Sequence, residues 1–63
     1  MTELTRMYNE MLVTLEKGID DLEKFNDGNM SAGTRVRKTM QTTKELAQKI
    51  RVTIQEQKNA VAA

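Results

Sequence analysis

An apolar residue recurs every three or four positions along almost the whole chain, and the recurrence breaks once, at Asp27-Gly28-Asn29. In the first half Leu4, Tyr8, Met11, Leu15, Gly18, Leu22 and Phe25 follow alternating steps of four and three. In the second half Val36, Met40, Thr43, Ala47, Ile50, Ile54, Gln57 and Val61 do the same. Such steps place side chains on one side of an α-helix. No proline interrupts either stretch, and only one Tyr, one Phe and no Trp are present, a poor composition for a sheet. Gly28 accepts a left-handed backbone after a last helical turn, and Asn29 or Ser31 can accept a hydrogen bond from a free N–H of the next helix. The expectation is all-α: a single domain over 1–63, with helices at about 3–26 and 30–59. The second would be about 45 Å long at about 1.5 Å per residue. A turn this short makes the two helices antiparallel.

Sixty-three residues make a marginal domain. There is no Cys for a disulfide and no Cys or His for a zinc site, so oligomerisation is the stabilising device left. Leu12 and Ile19 widen the first apolar stripe and Leu46 the second, beyond what a two-helix seam needs. The hairpin is therefore expected to assemble with itself, most simply as a dimeric four-helix bundle. Tyr8 and Phe25 are expected in the core, with Met7, Met11 and Met40 as filler. Gly18, on the stripe, would permit a close helix approach.

The charges divide at the same turn. Residues 1–27 carry three cations against seven anions, a net −4; residues 28–63 carry seven against two, a net +5. A basic half suggests a polyanionic partner. Arg37, Lys44, Arg51 and Lys58 recur every seven residues along one flank of the second apolar stripe, with Arg35, Lys38 and Lys49 on the other. The same flank could instead pair with acids of the first helix. Arg35, Arg37 and Lys38 fall in the first two turns of the second helix, where the helix dipole disfavours cations. Their presence there makes better sense if an anion binds. Free N–H groups from about Met30 to Gly33, the hydroxyls of Ser31 and Thr34, and the bare Cα of Gly33 would complete a phosphate site. The Asp20-Asp21 pair, Glu16 and Glu23 read as a solvated face. Gln41, Gln48 and Gln55 lie on the outer face of the second helix.

Enzymatic chemistry has little to build on. No His can serve as a base near neutral pH, no Cys as a nucleophile, and Ser31 has no base beside it. No phosphate-loop motif follows Gly28 or Gly33. No small-molecule substrate, cofactor or metal is implied. No apolar run approaches the roughly 20 residues that span a bilayer, and no signal peptide is evident at the N-terminus. The expected location is cytoplasmic.

The run Gly28-Asn29-Met30-Ser31-Ala32-Gly33-Thr34-Arg35-Val36-Arg37-Lys38, followed by Leu46-Ala47-Gln48-Lys49-Ile50-Arg51, resembles the bacterial linker-histone-like nucleoproteins, the chlamydial developmental histone type. The similarity covers about residues 4–60. It implies double-stranded DNA as partner and compaction in the nucleoid without much sequence preference. Gly33-Thr34-Arg35 and Arg37-Lys38 are the matching elements. The chlamydial member carries a Lys- and Ala-rich tail that is absent from these 63 residues. Two consequences are open: the helical domain binds DNA itself, or it is the family's assembly domain. Apart from the resemblance, an assembly module that binds a protein helix also fits the wide stripes. A membrane-surface helix fits less well, because the second helix lacks an aromatic, Leu-rich face.

Overall fold

The computed structural model describes residues 2–62, and among them the chain forms two helices, α1 at Glu3–Asn26 and α2 at Met30–Ala62. α1 has the expected bounds; α2 runs three residues further than expected. Thr2 caps α1, its Oγ1 accepting from the Thr5 N–H at 3.1 Å. The end of α1 is a Schellman motif: the Gly28 N–H donates to the Phe25 carbonyl at 3.0 Å and the Asn29 N–H to the Lys24 carbonyl at 2.9 Å. Gly28 has φ +102°, a conformation costly for any residue with a Cβ. Asn29, rather than Ser31, caps α2, with its Oδ1 accepting from the Ala32 N–H at 3.1 Å. A three-residue turn therefore satisfies both helix ends and folds the helices into an antiparallel hairpin about 53 Å long.

The contact between the helices lies one step round from the stripe of large residues. On α1 the partly or fully covered positions are Leu4, Met7, Met11, Thr14, Gly18 and Asp21; on α2 they are Ala32, Val36, Thr39, Thr43, Leu46, Ile50 and Thr53, with Gly33 and Ala47 beside them. The middle of this seam is small. A Cβ on Gly18 would stand 3.1 Å from Thr39 Cγ2, and one on Gly33 would stand 2.6 Å from the Phe25 ring. Three of the four seam threonines turn their hydroxyls back into their own helices. Thr14 donates to the Glu10 carbonyl at 2.9 Å, Thr39 to Arg35 at 3.1 Å and Thr43 to Thr39 at 2.8 Å. That leaves their methyl groups for packing, and among the described residues no buried side-chain polar atom lacks a partner.

The large residues end up outside. Tyr8 is 55% exposed and Ile19 53%, and Leu12, Leu15, Leu22, Phe25 and Met40 are also exposed. Tyr8 and Phe25 are thus not core residues in the hairpin, contrary to expectation, and Met40 is not filler. Met7 and Leu46 are, together with Ala32, the buried apolar residues among those described. The displaced stripe is continuous across both helices. Shallow apolar grooves along one side of the hairpin are lined by Leu4, Tyr8, Ile50 and Ile54 at the open end. Leu12, Leu15, Ile19, Leu22, Val36 and Met40 line the middle.

Candidate nucleic-acid interface

The basic residues of α2 occupy three columns of the helix surface. Arg37, Lys44, Arg51 and Lys58 form one row, all exposed, along the edge of the apolar side; Arg37 and Lys58 border its grooves directly. At about 1.5 Å per residue the row is roughly 32 Å long, close to the 34–36 Å repeat of B-form DNA. Lys38 and Lys49, eleven residues or about three turns apart, share a column on the back, away from the apolar side; Arg35 lies beside the seam, where it reaches Asp21.

Arg35 has an intramolecular partner. Its Nε donates to Asp21 Oδ1 at 2.8 Å, across the hairpin near the turn. The Asp21 side chain is 23% exposed and that of Arg35 49%, so the pair is solvent-screened and worth at most about 1 kcal/mol. Asp21 was expected on a solvated face; it sits instead at the seam, because the contact is rotated. The pair partly offsets the cost of cations at the start of α2, where no acidic residue occupies the first turn. Among the described residues Arg37, Lys38, Lys44, Arg51 and Lys58 make no ion pair.

The backbone of the first turn offers less to an anion than the sequence suggests. The Ala32 N–H is taken by Asn29, and Ala32 is fully buried. The space over the Gly33 Cα is filled by the Phe25 ring, so the absence of a side chain at position 33 has a packing explanation. Ser31 and Thr34 are exposed in this turn, beside Arg35, Arg37 and Lys38. The turn end therefore gathers hydroxyls and cations at the surface, over a backbone already capped. Among the described residues no group of acidic side chains could hold a metal ion, and no helix is long and apolar enough to cross a membrane.

Sequence reasoning missed the Asp21–Arg35 pair and the packing role of Gly33. Both depend on which α1 residues face α2, and periodicity admits two neighbouring answers. Residue spacing alone did carry the α2 row, since it needs only one helix.

Comparison with known proteins adds one positive result. No curated protein and no solved structure matches the chain. The sequence profile described as Histone H1-like protein Hc1 matches residues 5–60, a span that takes in both helices, the turn and every cation of α2. Across nearly its full length, then, the chain belongs to the histone H1-like Hc1 family, a family of structural DNA-binding proteins and not of enzymes.

Proposed function

We propose that this protein is a non-enzymatic, nucleoid-associated DNA-binding protein that contacts duplex backbone phosphates with little sequence preference. It acts as a homo-oligomer, most simply a dimer, to compact DNA by bridging or bending. The observation that carries the reading is the separation of charge between the helices. The cations of α2 stand exposed in a row matched to one duplex turn, while most of the acids lie on α1. Membership of the histone-like family supports the same partner. Long, flexible cations reaching phosphates position a protein on DNA without reading bases. The contacts are assigned to Arg35, Arg37 and Lys38 with Ser31 and Thr34 at the turn, and to Lys44, Arg51 and Lys58 along the rod. Gly33 contributes by holding this turn together.

The test is a titration of random-sequence duplex at about 50 mM and 200 mM salt. If six phosphates are neutralised per dimer, log K against log salt falls with a slope near −5, about −0.9 per phosphate. An affinity that stays flat over this range overturns the reading. Replacing Arg35, Arg37 and Lys38 together by Ala is expected to weaken binding at least tenfold while helicity by circular dichroism is retained. Unchanged affinity moves the contact to Lys44, Arg51 and Lys58.

One observation favours a second reading, an assembly module for a protein helix: the apolar side of the hairpin is uncovered along its whole length. Its occupant is taken to be another copy of the chain.

A further inference from the structure

The self-association just proposed leaves the arrangement of the two hairpins open, and the edges of the apolar side discriminate between the possibilities. A slab 53 Å long and 19 Å wide presents roughly 1,000 Å² on one side, comparable with the about 800 Å² that each partner gives to a standard interface. Covering the exposed half of one Leu or Ile contributes about 1 kcal/mol, and Leu12, Ile19 and Leu22 are each about half exposed. The edges of this side are oppositely charged. Glu16 and Glu23 lie seven apart just beyond it on α1, with Glu16 lining the central groove; Arg37 and Lys44 lie seven apart at its border on α2.

Two hairpins can lay these sides together in two ways. With the turns at opposite ends, α1 covers α1 and α2 covers α2. The Glu16 and Glu23 edges then meet each other, and two rows of Arg37, Lys44, Arg51 and Lys58 are pressed together. With the turns at the same end, each α1 covers the partner's α2, and the acidic edge meets the basic edge twice. The levels agree as well. Gly18 stands level with Thr39 and Asp21 with Arg35, so Glu23 is level with Thr34 of a co-terminal partner and Glu16 with Gln41. One turn further along α2 from these levels come Arg37 and Lys44, a distance Arg and Lys side chains span. Their aliphatic stems would lie over Leu12 and Ile19 while their heads reach the carboxylates.

We infer that the occupant of the apolar side is a second copy of this chain packed with its turn at the same end, with Glu16 and Glu23 of each copy paired to Lys44 and Arg37 of the other. The inference rests on the proposed self-association and deepens it. The four helices alternate in direction, every neighbour antiparallel. Both turns, with their Arg35 and Lys38, emerge at one end of the rod, so one dimer offers both to a single duplex. Arg37 and Lys44 then pair within the dimer instead of contacting phosphates, which narrows the contacts proposed above to Arg35 and Lys38 at the turns and Arg51 and Lys58 along the rod.

The chain has no Cys, so Ser31→Cys introduces a single exposed attachment point next to the turn. The spin-labelled protein is examined by light scattering and by pulsed electron–electron distance measurement. The expected result is a dimer with labels separated by two to three helix diameters, roughly 20–30 Å. A dimer with labels about as far apart as the 53 Å length of the hairpin overturns the arrangement and leaves self-association standing. A monomer at 100 µM overturns both. A second measurement does not depend on the label. Glu16→Lys with Glu23→Arg is expected to weaken the dimer roughly tenfold or more, and adding Arg37→Glu with Lys44→Glu is expected to restore it. A failure of restoration, with helicity intact, rejects the cross-pairing.

Discussion

The inner seam of the hairpin and its outer apolar side are built on opposite plans. The seam is lined at its centre by Thr14, Gly18, Thr39 and Thr43, while one step round each helix stand Leu12, Leu15, Ile19, Leu22 and Met40. Small residues let the two backbones of one chain come close, but they bury little apolar surface. The residues able to contribute most to stability are left half in water. Such a hairpin gives up stability as a monomer and keeps it available for assembly. Under the proposed self-association the difference couples folding to assembly, and stability should depend on protein concentration.

The contrast breaks most visibly on the outer side. Leu15→Asp combined with Ile19→Asp should weaken self-association a hundredfold or more, read as a shift to monomer mass in light scattering. The inner seam is untouched, so the remaining helicity at high protein concentration reports how far the seam alone can hold the fold. If the mass does not change, the outer side is not the interface.

Gly33→Ala tests the seam at its tightest point. The added Cβ would lie 2.6 Å from the Phe25 ring, and relieving that overlap should cost about 1–3 kcal/mol against about 1 kcal/mol gained in helix propensity, a net loss of up to about 2 kcal/mol in thermal or urea unfolding. DNA affinity, measured where the variant is folded, should change little, because the backbone at Gly33 is covered by packing. A large loss of affinity without loss of stability would return Gly33 to the phosphate site.

A smaller effect is expected at Gly18. Alanine gains about 1 kcal/mol of helix propensity there, but its Cβ would stand 3.1 Å from Thr39 Cγ2. The two terms oppose, so Gly18→Ala should change stability by less than about 1 kcal/mol. A loss comparable with that at Gly33 would show the centre of the seam to be the more rigid.

The smallest effect on stability belongs to Asp21→Ala, at most about 1 kcal/mol, because Arg35 is half exposed and the pair is screened by solvent. Its effect on binding runs the other way. Losing a carboxylate beside the turn and freeing Arg35 should raise duplex affinity severalfold at about 50 mM salt, and less at 200 mM, where screening is stronger. Weaker binding would mean that Asp21 holds Arg35 in its productive position.

The bounds of α1 and the start of α2 were legible because their determinants are local, whereas the end of α2, which has no such signal, runs three residues past the expected position. Gly28 and Asn29 carry out their capping within three residues of themselves, and no proline intervenes. The row Arg37, Lys44, Arg51 and Lys58 was legible for the same reason: it belongs to one helix and needs only the helical repeat. The family assignment followed the same local run and extends over residues 5–60.

Tertiary packing decided which face of α1 meets α2. Leu4-Tyr8-Met11-Leu15 and Leu4-Met7-Met11-Thr14 both have helical spacing, and hydrophobicity alone favours the first. The hairpin uses the second: Gly18 packs against Thr39, whose hydroxyl is satisfied within its own helix, and Gly33 leaves room for the Phe25 ring, a fit between two helices that no single-helix pattern can reveal. From that rotation follow the exposure of Tyr8 and the leucines, the engagement of Arg35 by Asp21, and the covering of Gly33. By itself the sequence determined two helices, the turn that joins them and a charged row. Steric fit between two elements distant in the chain chose their facing sides, and with them the surfaces left for a partner and for DNA.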